Sequence, residues 1–503
     1  MTGRLTLTCF VALFALALLP LLSVSIPPLF DYPNHLGRMS ILAARGHDGV
    51  LNRYYAIRWG ILPNLGMDSL VPWLSGILPL FDAGRVFLVG TLLVLASGPV
   101  LLYRVWWGKW SPWPCVGFLF LYSRVFLWGF ISYLAGIGLA LLVLAGWVLL
   151  QKGSWVIRGM AGALAVTIVF FCHLEAFGVL ALLLLGVELP LLFAASGRRD
   201  LACLGTRVAG LMMALLPATL LFLFVWQPHA GAGLTLPRLD RKPDLLFSVF
   251  DNYSRPFDIL CFVLCLGGAI FMSVRGYLRI APPAIWPIFL IGMLYLALPS
   301  MLFTGAGADH RLPLVLFLLL SGATDPSGLS RRHLGALAAC LALLFLGRMA
   351  VIEKVWLQSA RTYARDLAML ERLPLGTRLA VAAPASAVRV SAAPEYHFPV
   401  LAVPLRHAFV PTLFAFPTQQ PVALMPGWRE LAAQTDPDRV WQAFQRGDKS
   451  SLLLQRFVVE HFDAIVFVGE VGSEPLRSRC LIRLDNSQTV SLYLIDPVKA
   501  DCR

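Results

Sequence analysis

The sequence predicts a polytopic α-helical membrane protein of about eleven transmembrane helices, with interfacial helices in its first external loop and a C-terminal α/β soluble domain. Three observations predict it. Of 503 residues, 58% are hydrophobic and only 14% charged, against about 25% charged in soluble domains, and the mean hydropathy is +0.74. Apolar runs of near-membrane length recur from residue 5 to residue 351. Beyond that point the composition changes sharply, and short apolar runs alternate with polar, helix-forming stretches.

Arg4 precedes an apolar run over residues 5–26, longer than a signal-peptide core and followed by many more spans, so it reads as an uncleaved first span with its N-terminus inside. Residues 27–82 form a first external loop. His35 to Arg45 places apolar groups at helical spacing with charges opposite, and residues 69–81 repeat the pattern around Pro72 and Pro79. Trp59 and Trp73 favour a membrane interface over a plain surface loop. Further spans follow at about 85–103, 113–121, 131–150, 156–172, 176–193, 208–226, 259–274, 285–303, 312–323 and 334–351. Several are shorter than the roughly 20 residues that cross a bilayer upright. The division is therefore 1–351 as the membrane domain, with external loops at 27–82 and 227–258, and 352–503 as the tail. In the tail, runs around Leu379, Ile465 and Leu492 read as buried strands. Residues 438–446 and 452–461 read as helices.

The connections alternate in character. One set is short and basic, carrying Arg104 and Lys109, Lys152 and Arg158, Arg198, Arg199 and Arg207, Arg275 and Arg279, then Arg331 and Arg332. Short basic loops face the cytoplasm, so an odd number of spans puts the tail outside. The expected location is a membrane, with the tail on its outer side. The net charge of +13 belongs to this topology. A nucleic-acid partner would need a basic, soluble face interleaved with aromatics, and no stretch has that pattern. Nine cysteines lie scattered without metal-ligand spacing. Cys480 and Cys502 sit in the polar tail, where an oxidising compartment would let them pair. Oligomeric state is not legible.

The polar groups that an apolar chain has no structural reason to carry fall on one side of this topology. Asp31, Asn34, His35 and Arg38 follow the first span. Arg124 follows the third, and His173 and Glu175 end the fifth. A charged loop from Arg238 through Lys242 and Asp251 to Arg255 follows the seventh. Asp309, His310 and Arg311 precede the tenth. An ionisable residue at membrane depth is costly and marks a functional site by default. Asp31 reads as a general base or electrostatic anchor, or as a plain N-cap satisfying the free amides of the next helix. His173 and Glu175, two apart, point away from each other on one helix and meet at a site only if a turn separates them. Arg124, Arg255 and Arg311 suit bidentate phosphate binding, with snorkelling to lipid headgroups as the competing use. Asp309, His310 and Arg311 also read as an internally paired turn. Asp31, His35, Glu175 and Asp309 are the donors that would suit Mg²⁺ or Mn²⁺, though the metal site stays unassigned.

This layout, with an acid in Phe30-Asp31-Tyr32-Pro33-Asn34-His35 and, more loosely, Asp309-His310-Arg311, resembles the GT-C superfamily of membrane glycosyltransferases. The nearest branch is the bacterial one related to lipid A aminoarabinose transferases and protein mannosyltransferases. Phe409-Val410-Pro411-Thr412-Leu413-Phe414-Ala415, with Gln419-Gln420-Pro421, looks like uncharacterised bacterial membrane proteins of similar layout. The resemblance implies transfer of a sugar from a polyprenyl-phosphate donor to an acceptor on the outer face. Asp31 would activate the acceptor hydroxyl, and arginines would hold the departing lipid phosphate. Many members carry a second acid in the second external loop. Here residues 122–133 hold only Arg124, so either Glu175 stands in or transferase activity is lacking. The alternatives are a transporter or flippase, which the absence of an inverted repeat disfavours, and a non-catalytic assembly protein of the cell envelope.

Overall fold

The computed structural model describes residues 2–225, 236–302, 305–387, 395–416, 419–446, 448–469, 480–487 and 489–496. Its helices run in chain order as α1 Thr2–Ser23, α2 Tyr32–Ala43, α3 Gly66–Leu74, α4 Leu80–Trp107, α5 Arg124–Trp128, α6 Ile131–Leu149 and α7 Trp155–Cys172. They continue as α8 Leu174–Gly197, α9 Leu201–Val225, α10 Lys242–Phe247, α11 Arg255–Val274, α12 Ile285–Ala297, α13 Ala308–Ala323 and α14 Arg331–Leu370. Among the described residues, eight are long and apolar enough to cross a membrane: α1, α4, α6, α7, α8, α9, α11 and α14.

The other three expected spans take shorter forms. The run at 113–121 is a 3₁₀ helix, Trp113–Phe120, leading to α5. Helix α12 stops after 13 residues, because Leu298 is extended before Pro299. Helix α13 has 16 residues and carries Pro313. The last span is the opposite case. The expected end at 351 is overrun, and α14 continues to Leu370 for 40 residues. Neither glycine nor proline occurs between Arg348 and Leu373 to stop it.

The chain divides into two compact units. The first comprises Met1–Leu22, Pro63–Gly66 and Phe87–Glu353; the second comprises Ser23–Leu62, Met67–Val86 and Lys354–Arg503. The division falls within α4 and α14. The first loop thus clusters with the tail rather than with the helices that follow it.

The first unit is a helical bundle in which small residues permit close approach. A Cβ on Gly138 of α6 would lie 2.8 Å from the Leu95 backbone nitrogen of α4, and one on Gly98 would lie 2.7 Å from Leu141 Cβ.

The second unit holds a four-stranded sheet and a small two-stranded ribbon. Strands β1 Tyr55–Ile57, β2 Leu379–Ala382, β3 Val422–Leu424, β4 Ala464–Val468, β5 Leu481–Asn486 and β6 Val490–Ile495 are joined in the tail by α15 Pro437–Gln445 and α16 Lys449–His461. The sheet order is β2-β4-β6-β5. Its β2–β4 pair is parallel and the others antiparallel. Strands β2 and β4 are buried along their whole length, the pattern of strands covered on both faces. Strand β1 from the first loop pairs antiparallel with β3.

Helix α2 corrects an expectation. Its sequence pattern predicts an interfacial helix with one wet face. Instead Tyr32, Pro33, Asn34, Leu36, Gly37, Arg38, Met39, Ile41 and Leu42 are all buried. The charge that mimicked a solvent face is Arg38, and it is matched internally by Asp68. The second expected piece, 69–81, is divided between α3 and the first residues of α4, with Trp59 and Trp73 exposed. Cys480 is disulfide-bonded, Cys502 lies outside the described residues, and the remaining seven cysteines are free.

Candidate active site

In the second unit the chemistry gathers at the start of α2. Pro33 sits in the first turn of the helix, where its missing amide costs nothing. Asp31 occupies the N-cap position, yet its carboxylate makes no cap bond. Its Oδ1 lies 3.4 Å from His397 Nε2 instead. The N-cap reading is therefore right in position and wrong in chemistry.

The hydrogen bonds around His397 fix its tautomer. The Phe414 amide donates to Asn34 Oδ1 at 2.7 Å, which orients the Asn34 side chain. Its Nδ2 then donates to the Thr412 carbonyl at 3.3 Å and to His397 Nδ1 at 2.7 Å. An amide NH₂ has no lone pair to offer, so His397 Nδ1 is the acceptor and the ring proton belongs on Nε2, facing Asp31. Phe30, Tyr396 and Phe414 ring the imidazole edge-on at 4.9–5.1 Å between centroids. Burial in this cage pushes His397 down to about 3, which keeps it neutral at physiological pH.

The other residues of the α2 motif divide between this relay and the helix core. His35 Nδ1 lies 3.2 Å from Arg38 Nη2. Arg38 is fully buried, and its fork is bidentate to Asp68 at 2.6 and 2.9 Å. That arrangement corrects Arg38 from a substrate contact to a tie between α2 and α3. A cavity of about 820 Å³ lies at the far end of α2, lined among others by Arg45, Tyr55, Trp59, Asp68 and Trp73. Asp31 does not line it.

In the first unit the remaining named residues gather where α5, α6, α8, α11 and α13 begin. The required turn between His173 and Glu175 exists: His173 is extended between α7 and α8 and caps α8, its Nδ1 accepting the Glu175 amide at 3.2 Å. Glu175 Oε2 accepts from Arg311 Nη1 at 2.5 Å. The Arg311 guanidinium lies 4.2 Å from the Phe130 ring centre and 5.4 Å from that of Tyr133. His310 stacks on Trp128 at 5.4 Å. Asp309 accepts from Lys242 Nζ at 2.9 Å and from the Ser300 hydroxyl at 3.1 Å. Arg124 is ion-paired with Asp251, which also meets Arg255 at 3.5 Å. Arg348 of α14 anchors this end through Asp258 and the Phe250 carbonyl.

The first-unit cluster thus collects Lys242, Arg124, Arg255 and Arg311 against Glu175, Asp251 and Asp309. One cation is in excess, and helix N-termini add partial positive charge. That is a field suited to an anionic group. Each carboxylate named as a metal donor already has its own partner in the protein: Asp31 with His397, Glu175 with Arg311, Asp309 with Lys242. Among the described residues, no group of three or more His, Cys, Asp or Glu gathers as a ligand set. The donor chemistry does not fit a shared Mg²⁺ or Mn²⁺.

Sequence reasoning passed over His397, Asp68 and the pairing of Asp251 with Arg124. Asp68 carries a usable signal, since a buried arginine requires a carboxylate. His397 carries none, because its meaning depends on a contact 363 residues away in the chain.

The fold that presents these clusters is shared over nearly its full length with solved structures. The fold is similar to ArnT from Cupriavidus metallidurans bound to undecaprenyl phosphate, with a TM-score of 0.57 and 14% identity, covering 99% of this chain and 99% of that one. The apo structure of the same protein gives a TM-score of 0.54 and 12% identity over 98% of both chains. No family model and no curated protein matches the sequence.

Proposed function

We propose that this protein is a membrane glycosyltransferase that moves a sugar from a polyprenyl-phosphate donor to a hydroxyl-bearing lipid, glycan or protein on the periplasmic side of the bacterial inner membrane. The observation that carries the reading is the Asp31 carboxylate, withheld from its helix cap and faced by a neutral histidine. The fold around it is shared over its whole length with a protein that binds undecaprenyl phosphate.

In this reading Asp31 takes the proton from the acceptor hydroxyl. The hydroxyl oxygen bonds to the anomeric carbon, and the bond from that carbon to the phosphate oxygen breaks. The electron pair leaves with the polyprenyl phosphate. In-line displacement inverts the anomeric centre. Within the first unit, Arg124, Arg255 and Arg311 are the guanidinium forks whose chemistry suits a lipid phosphate. His397 is a positioning residue that holds Asp31 through Nε2–H. Glu175 and His173 keep Arg311 in place. No step is routed through a metal.

Eleven spans remain the topology that fits this chemistry: the eight long helices plus the three short ones, Trp113–Trp128, α12 and α13. This puts the N-terminus in the cytoplasm and the α/β tail in the periplasm.

The experiment is transfer from labelled polyprenyl-phosphate sugars by the purified full chain in nanodiscs. Loss of a general base costs roughly 10²–10⁴-fold. Asp31→Asn should lose activity by that factor with its fold intact. Unaltered turnover in Asp31→Asn removes Asp31 from the mechanism. Movement of the intact donor across proteoliposomes without any glycosylated product would instead establish the flippase.

A further inference from the structure

A second built site lies in the first unit, where α6 ends, α7 begins and α9 has made its first turns. Helix α6 starts at the cluster described above, so this is the opposite end of that helix. Glu188 of α8 is fully buried there. Its Oε1 accepts from Trp147 Nε1 at 2.9 Å and faces Arg158 Nη1 at 3.3 Å, while Oε2 accepts from Arg207 Nη1 at 3.0 Å. The Arg158 guanidinium lies over the Trp147 ring at 4.6 Å. Two guanidiniums against one carboxylate leave one net positive charge.

Beside this triad is a pocket of about 200 Å³, lined by Gln151, Ser154, Arg158, Thr206 and Arg207 among others. That is small against the roughly 300–1,000 Å³ of organic-ligand sites, and it admits only a compact group. Arg158 is 3% exposed. Two donors on the pocket's lining, Arg158 Nε and Gln151 Nε2, are buried with no hydrogen-bond partner among the described residues. A buried donor left unmade is expensive, and such groups ask for an explanation. Ser154 stands at the N-cap of the 18-residue α7, and its side chain makes no cap bond. The pocket therefore offers two unmatched buried donors, a net positive charge and the positive end of a helix dipole.

We infer that this pocket binds a phosphate group. Its three or more acceptor oxygens would satisfy Arg158 Nε and Gln151 Nε2 together, and Arg207 would supply the charge. The short basic loops around it, with Lys152, Arg198 and Arg199, belong to the side assigned to the cytoplasm. The phosphate group has two possible sources: an anionic phospholipid headgroup of that leaflet, or free phosphate. The site is independent of the transferase reading and uses none of its residues.

The test is native mass spectrometry of the full chain in detergent, titrated with phosphatidylglycerol, phosphatidylcholine and inorganic phosphate, with thermal unfolding as a folding control. Wild type should retain phosphatidylglycerol at least 5-fold better than phosphatidylcholine. Arg207→Ala should loosen it about 10-fold and Gln151→Leu several-fold. Glu188→Gln, which removes the competing anion but keeps its acceptor oxygen, should tighten it. A merely structural triad would not produce that gain, because Glu188→Gln would then loosen or leave binding unchanged. Competition by millimolar inorganic phosphate, with weak lipid selectivity, assigns the site to free phosphate and supports the same chemistry. Equal retention of both lipids without phosphate competition, or variants that bind as wild type does, overturns it.

Discussion

The Asp31–His397–Asn34 relay makes the most specific demand on single side chains. The Asn34 amide has one orientation, and that orientation dictates where the His397 proton sits. Gln in place of His397 keeps an N–H near Asp31 but loses the acceptor for Asn34, whereas Ala loses both. His397→Ala should lower kcat by about 10-fold or more, as expected for a misplaced general base. His397→Gln should recover part of that loss with little change in KM; steady-state kinetics on both variants checks it. The same residue sets a pH dependence of stability. His397 titrates near 3 when folded and at 6.5 when exposed. Between those values the unfolded chain binds a proton that the folded unit refuses. Its contribution is therefore whole above 6.5 and is lost as pH falls, at up to about 1.4 kcal/mol per pH unit. Chemical unfolding of wild type and His397→Gln from pH 7 to pH 4 should show a slope in the former that is reduced in the latter.

Helix α2 shows how an element misleads and then informs. Its periodicity is that of an amphipathic helix, and helical it is. What periodicity does not carry is the partner of the polar face. Arg38 and Asp68 neutralise each other out of solvent, so a pattern read as wet is dry. Removing one member of a buried pair strands the other, at roughly 3–5 kcal/mol. Arg38→Ala should destabilise by that amount, and pairing it with Asp68→Ala should restore part of the loss; a double-mutant cycle by thermal unfolding measures both. Gly37 on the same helix faces the tail segment at close range, where a Cβ would lie 2.6 Å from Val400 Cγ1 and 3.1 Å from Leu413 Cδ1. The long apolar helices and the strands β2, β4 and β6 were legible, because length and hydropathy are local properties. Strand β5 was not. Its alternating residues Leu481 to Asn486 are partly exposed and polar, and only pairing with β6 makes them a strand.

At the scale of the whole chain, the legible part is the distribution of charge among loops, and the illegible part is which segments fold together. The first loop is separated from the tail by about 270 residues, yet both build the second unit through the β1–β3 pairing and the Asn34 bonds. No hydropathy profile contains that information, since it resides in backbone pairing and side-chain complementarity. The topology, in contrast, makes a prediction that depends on no side-chain contact. On the proposed eleven-span topology, short loops rich in arginine stay in the cytoplasm and the C-terminal tail would be periplasmic. Cysteine introduced at Ser450, exposed at the start of α16, should react with a membrane-impermeant maleimide in spheroplasts. Cysteine at Arg332, exposed at the start of α14, should react only after the membrane is opened. Labelling of Arg332→Cys in closed cells and of Ser450→Cys only after lysis would invert the orientation. The acid at Asp31, which clusters with the tail, would then have no access to an acceptor on the outer face.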